Sequence, residues 1–260
     1  MNLLQPWPVS KVSKTFRMTL WCMVLTQKHT TGDSTKPIEH LQECGLTVNA
    51  EKCLFNTDRL VFMGVLLSEK GIGPIADRVK AVLEVEEPKK ASDVRSFLGL
   101  ANYSSQFIPH FATLSEPLRR LTRKETPFKF GPEQKKSFEC LKQKMAEACT
   151  LAYFDKNAPT KIITDASPVG LGAVLVQEQD GAWTPVCYAS RSLTGCEQRY
   201  SQTEKEELGV VWACERFHAY VYGMKFVVET DHKPPFRGHT WSTVKTMCTD
   251  RAMGPQITAK

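Results

Sequence analysis

Three carboxylates, Asp165, Glu206 and Asp231, stand where the local sequence places the end or edge of a regular element. Asp165 closes the run Lys161-Ile162-Ile163-Thr164-Asp165, and Asp231 closes Phe226-Val227-Val228-Glu229-Thr230-Asp231; both read as strands with an apolar face. Glu206 falls in the first turn of a helical stretch from Thr203 to Phe217. Carboxylates on adjacent strands and a nearby helix can converge on hard divalent cations, which prefer oxygen ligands. Two such ions ~3.5–4 Å apart clamp the attacking water and the leaving oxygen of a phosphodiester, the chemistry of a metal-dependent nuclease.

Each residue also has a plainer reading. Thr203 and Glu206 form a T-x-x-E pair, which would make Glu206 half of a capping box, and Ser201 with Glu204 forms a competing S-x-x-E pair. Asp165 lies in Thr164-Asp165-Ala166-Ser167-Pro168, a sequence that also suits a turn, and Asp231 suits a cap for whatever follows it.

The elements that must position these residues change character along the chain. Residues up to about Pro37 show no clear periodicity, and Glu39 to Pro74 reads as a short helix followed by a hairpin. Helices are expected over Asp77 to Val85 and Ser92 to Gln106, with Pro88 between them. The second would take Ser92 as N-cap and bury Val94, Phe97, Leu98 and Ala101. Pro132 suits the first position of a further helix with the apolar stripe Phe138, Leu141, Met145 and Ala148. From Lys161 the pattern turns to strands, and Leu171 to Gln177 and Trp183 to Tyr188 flank Asp180-Gly181, a pair suited to a tight turn with positive φ.

Composition fits an intracellular protein with a polyanionic partner. A chain of 260 residues, 42% of them hydrophobic, can bury one or two cores, and its formal net charge is +6. Its nine cysteines are scattered without a C-x-x-C pair, which points to a reducing compartment, cytoplasmic or nuclear, rather than to disulfides or a zinc site. The apolar segment Met18 to Thr26 is too short to span a bilayer and lacks a small-residue cleavage site, so neither membrane insertion nor secretion is expected.

Several collinear segments carry a family resemblance. Leu41-Gln42-Glu43-Cys44-Gly45-Leu46 with Glu51-Lys52-Cys53-Leu54-Phe55, Val61-Phe62-Met63-Gly64-Val65, Val94-Arg95-Ser96-Phe97-Leu98-Gly99-Leu100-Ala101-Asn102-Tyr103 and Phe107-Ile108-Pro109-His110-Phe111 come first. Thr164-Asp165-Ala166-Ser167, Gly170-Leu171-Gly172-Ala173-Val174-Leu175, Tyr188-Ala189-Ser190-Arg191-Ser192-Leu193, Thr203-Glu204-Lys205-Glu206-Glu207-Leu208 and Thr230-Asp231-His232-Lys233 follow. From about Glu39 to Pro234 the chain resembles the polyprotein of a gypsy-class LTR retrotransposon, from the end of reverse transcriptase into ribonuclease H. The resemblance implies an α/β (α+β) architecture: a palm remnant over 39–75, a helical thumb and connection over 76–130, and a ribonuclease H-like mixed sheet with packed helices over 131–235. Residues 1–38 and 236–260 do not match it.

Carried over residue by residue, the resemblance makes Asp165, Glu206 and Asp231 ligands of two Mg²⁺ ions, with Mn²⁺ as a substitute, and gives His232 a structural role or one in product release. It implies hydrolysis of the RNA strand of an RNA:DNA hybrid, and other parts of the polyprotein as partners. Lys80, Arg95, Arg119, Arg120, Arg123 and Lys124, with Lys89, Lys90 and Lys129, are read either as solvated helix faces or as a surface that tracks phosphates without reading sequence. The tyrosine-x-Asp-Asp loop of the polymerase is absent from the sequence, so no DNA synthesis is expected of it. After Lys233 the family's last strands and helix are not matched, which leaves an exposed sheet edge or apolar face as an expectation. Two readings stand: a ribonuclease H, and a catalytically inactive retroelement remnant that binds nucleic acid or protein.

Overall fold

Alternation from Thr160 to Ala166 buries every second side chain of one strand, and that strand anchors the larger of two sheets. The computed structural model describes residues 42–45, 57–123 and 126–230, and the backbone of 256–259. Asp231, His232 and Lys124 lie outside the described residues. The chain divides into two units, Met1–Thr57 and Asp58–Lys260. In the first, Gln42 and Glu43 are helical, and Gly45 closes the turn at a φ of +69° that favours glycine.

The second unit opens with an antiparallel meander of β1 (Arg59–Phe62), β2 (Val65–Ser68) and β3 (Gly71–Gly73). Met63 and Gly64 join β1 to β2 with φ of 47° and 77°, the positive values of a two-residue hairpin turn. The expected hairpin is therefore present, extended by a third strand that pairs Ile72 with Leu151.

Four helices follow: α1 (Ala76–Leu83), α2 (Ala91–Tyr103), α3 (Phe111–Arg120) and α4 (Pro132–Ala146). They share one core, in which Val82, Val94, Phe97, Phe111, Leu118 and Phe138 are buried. The Phe97 and Phe138 rings pack with centroids 4.6 Å apart. Pro132 opens α4 as expected, whereas Ala148 lies beyond its end. Ser92 is not the N-cap of α2: the helix starts at Ala91 after Lys90, and Asp93 Oδ2 accepts from the Lys89 amide at 3.1 Å. The helix thus starts before the place a Ser92 cap would give it, and the acid in its first turn satisfies the Lys89 backbone donor just upstream.

The larger sheet has the order β6-β5-β4-β7-β8. It comprises β4 (Thr160–Ala166), β5 (Gly170–Gln179), β6 (Ala182–Ser192), β7 (Val227–Thr230) and β8 (Gln256–Ala259). The first three pair antiparallel, while β7 runs parallel to β4 and β8 parallel to β7. Because β8 pairs with β7, the edge of the sheet on that side lies at β8. Asp180 and Gly181 make the expected turn between β5 and β6 with φ of 52° and 76°. On one face lies α5 (Gln202–Arg216), where Val210, Ala213 and Cys214 close over Ile162, Leu175 and Val228; the single turn α6 (His218–Val221) adds Val221. Among the described residues no helix is long and apolar enough to cross a membrane.

Past β6, the chain is pinned by Arg191, whose guanidinium donates to both oxygens of Glu197 at 2.8 and 2.9 Å. That pairing, with hydrogen bonds from Thr194, holds the Glu197 carboxyl well below its ordinary range, at about 2. A carboxyl whose pKa falls on folding stabilises the fold above its unfolded value and stops doing so as the pH drops through the folded one. Wild-type protein is therefore expected to lose melting temperature between about pH 4.5 and pH 2 more steeply than Glu197→Gln, as measured by thermal melts across that range.

Candidate functional site

Asp165 sits near the carboxyl end of β4, at the central strand of the sheet, where Thr164 and Ala166 on either side are buried and its own side chain is 47% exposed. Parallel pairing of β4 with β7 puts Thr164 opposite Thr230. Each threonine immediately precedes an aspartate in the sequence, and the register brings Thr164 and Thr230 to the same end of the sheet.

Glu206 is fully buried, in the second turn of α5. Its capping-box reading does not hold: Ser201 is the N-cap, its Oγ accepts from the Glu204 amide at 3.3 Å, and Glu204 Oε2 accepts from the Ser201 amide at 2.8 Å. The Ser201 amide and the Ser201 hydroxyl, which also donates to Oε2 at 2.8 Å, bond the charged form and lower the Glu204 pKa. The helix consequently begins at Gln202 rather than Thr203, and Glu206 points inward. Ser201→Ala should cost about 1 kcal/mol of stability. Denaturant titration checks this, and no loss would show that the box is not what starts α5.

Burying a carboxylate costs heavily unless each oxygen has a donor or a cation. Gln202 Nε2 donates to Glu206 Oε1 at 2.7 Å, and Thr230 Oγ1 donates to Oε2 at 3.3 Å. The same Gln202 nitrogen donates to the Ala166 carbonyl at 2.8 Å. One amide group thereby ties Glu206 to the residue after Asp165. Neither Gln202 nor Thr230 was singled out from the sequence, since nothing local marks either as a partner of Glu206.

Beside Asp165 stands His110, with Nδ1 at 3.4 Å from Asp165 Oδ2. Its ring covers Gly172, the β5 partner of Asp165, so closely that a Cβ there would meet Nδ1 at 2.8 Å. Among the described residues no three His, Cys, Asp or Glu side chains converge as a metal ion would require. Asp165 and Glu206 nonetheless offer only carboxylate oxygen, the donor chemistry of Mg²⁺ and Mn²⁺ rather than of zinc.

The basic residues of the helical region are partly committed to the fold. Glu116, with a side chain only 4% exposed, is held by Arg123 Nη2 at 2.6 Å and Arg120 Nε at 3.4 Å, and Arg120 also reaches Glu133 at 3.9 Å. Arg119 donates to Ser115 Oγ at 3.0 Å and Arg95 to the Thr122 carbonyl at 3.1 Å, while Lys80 pairs at the surface with Glu84 at 3.7 Å. Arg120 and Arg123 keep about half of their side-chain surface in solvent, at 48% and 58%.

Residues 130–228 match the family described as the RNase H-like domain found in reverse transcriptase. The chain is 35% identical over 209 residues to the retrovirus-related Pol polyprotein from transposon 412 of Drosophila melanogaster, a match covering 80% of this chain and 17% of that one. With the transposon Tf2-3 polyprotein of Schizosaccharomyces pombe it shares 33% identity over 199 residues, 75% of this chain and 15% of the relative. The chain thus spans less than a fifth of the length of these relatives. Its fold is similar to that of foamy viral protease-reverse transcriptase solved in complex with RNA/DNA hybrid, with a TM-score of 0.71 at 20% identity over 90% of this chain and 33% of that one. The same viral protein in complex with dsDNA gives a TM-score of 0.70, also at 20% identity, over 90% of this chain and 51% of that one.

Proposed function

Residues 130–228 are an RNase H-like domain of reverse transcriptase, and the chain's homologues are retrotransposon Pol polyproteins; from this premise we propose that it hydrolyses the RNA strand of an RNA:DNA hybrid. The observation that carries the reading is the tie made by Gln202 between buried Glu206 and the end of β4 that bears Asp165. A buried carboxylate held in one orientation is preorganised for a cation to share.

In this reading Asp165, Glu206 and Asp231 hold two Mg²⁺ ions, for which Mn²⁺ can substitute. The ions supply Lewis acidity and charge neutralisation at the phosphodiester. The chain's own residues do the positioning. Thr230 and Gln202 orient the two oxygens of Glu206, and the parallel register of β4 and β7 brings the strand ends level. Lys80, Arg95, Arg119, Arg120, Arg123 and Lys124 track the phosphates of the hybrid, and the 2′-OH of its RNA strand distinguishes the scissile backbone. The guanidinium groups that grip Glu116 are half exposed, so they can face phosphates while remaining paired.

The test is cleavage of a labelled RNA:DNA hybrid by purified protein in Mg²⁺, with single-stranded RNA and chelated metal as controls. Hybrid-specific, metal-dependent cutting is the expected result. Salt-dependent hybrid binding by a folded protein without cutting in Mg²⁺ or Mn²⁺ would replace this reading with that of a nucleic-acid-binding remnant.

A further inference from the structure

We infer that His110, from the helical region preceding the RNase H-like fold, is a positioning residue for Asp165, so that the metal site is completed by a side chain outside the sheet. The inference rests on the reading of Asp165 as a metal ligand. Three independent observations support it.

His110 holds φ 52° and ψ 29°, left-handed values that are uncommon for a residue with a side chain and that cluster at functional sites when the surroundings impose them. The surroundings here are specific. Although α3 has no side-chain cap of its own, its Ala112 amide donates to Ser190 Oγ of β6 at 3.0 Å, and Thr113 Oγ1 lies 2.9 Å from Ser167 Oγ in the loop after β4. The start of the helix is thus nailed to the strand ends, and the residue just before it is turned towards the Asp165–Gly172 pair.

At that pair the imidazole meets a space cut for it. Gly172 has no Cβ, and adding one would place it 2.8 Å from His110 Nδ1 and 3.2 Å from Cε1. The ring can therefore bring Nδ1 within 3.4 Å of Asp165 Oδ2 while half of its side-chain surface stays in solvent. A carboxylate that coordinates metal is normally oriented by a neighbour on its outer side, and loss of such a neighbour costs about 10- to 100-fold in metal affinity or activity.

Three variants of the full chain test this. His110→Gly keeps the left-handed backbone at ease and removes the imidazole. His110→Asn tolerates the same backbone and retains a donor nitrogen near the place of Nδ1. Gly172→Ala leaves both partners in the sequence but displaces the ring, and what must give way is a side chain rather than backbone. Binding of Mn²⁺ alone, followed by the electron paramagnetic resonance of the free ion, is the primary readout, with melting temperature and hybrid cleavage beside it.

The expected result is about tenfold or greater weakening of Mn²⁺ binding in His110→Gly and in Gly172→Ala, at melting temperatures close to wild type, with His110→Asn recovering most of the affinity. Wild-type affinity in a folded His110→Gly or a folded Gly172→Ala would overturn the inference and leave the site reading standing. Mn²⁺ binding by the wild type that Asp165→Asn does not weaken would overturn both.

Discussion

Asp165→Asn is expected to lower hybrid cleavage by roughly a thousandfold while leaving the melting temperature within a few degrees of wild type. Asparagine has the volume of aspartate but carries no charge, and Mg²⁺ favours anionic oxygen over a neutral amide. Removing a charge that neutralises and orients metal is worth several kcal/mol at the transition state, and each 1.36 kcal/mol is a factor of ten in rate. The fold should tolerate the change because the side chain is 47% exposed and its near neighbour, His110, is equally open to solvent. Single-turnover cleavage of a labelled hybrid and a thermal melt on the same preparation decide the matter. Cleavage within a few-fold of wild type would remove Asp165 from the chemistry; a collapsed melt would give it a structural task instead.

The largest expected effect on stability lies away from the sheet. Phe138→Ala should cost about 3–5 kcal/mol, because truncating a buried aromatic loses its transfer free energy and leaves a cavity that the surroundings fill only in part. Phe138 is 1% exposed, packs at a tilt against Phe97 with centroids 4.6 Å apart and meets Phe130 edge-on at 6.4 Å. The same cluster holds Phe111 and Leu118 of α3, the helix whose start places His110. Loosening it should therefore weaken hybrid cleavage as well as stability, by less than Asp165→Asn does. Urea titration followed by far-ultraviolet circular dichroism measures the first effect, as a midpoint shift at unchanged slope. A shift worth less than about 1 kcal/mol would mean that the four helices do not share a single core.

Much of this protein follows from local pattern. Alternation over Lys161 to Asp165 specifies a half-buried strand, and Asp180-Gly181 specifies its turn, because both depend on backbone sterics within a few residues. Apolar spacing marks α2 and α4, whose Val94, Phe97, Ala101, Phe138, Leu141 and Met145 are all buried. Local pattern fails where the partner is distant. The helix α3 runs between Pro109 and through Pro117, where a missing amide argues against helix, and its first turn is completed by Ser190 from a strand far along the chain. Ser92 has the residue type of a cap, but the helix starts before it, at Ala91 after Lys90, and Asp93 reaches back to the Lys89 amide. The two competing S/T-x-x-E pairs in α5 have equal claims on paper; in the fold Ser201 and Glu204 form the box and Glu206 turns inward to Gln202 and Thr230.

By itself, then, the sequence determined the kinds of element and the family whose order its motifs follow, since these reside in short-range periodicity and in the linear succession of motifs. Only the tertiary structure decided that Glu206 is buried and held by Gln202 and Thr230, that a strand from the tail pairs β7, and that His110 stands beside a half-exposed Asp165. Those facts depend on hydrogen bonds and packing between residues remote in the chain, and such contacts are selected by the closure of the whole core, which no window of local sequence contains.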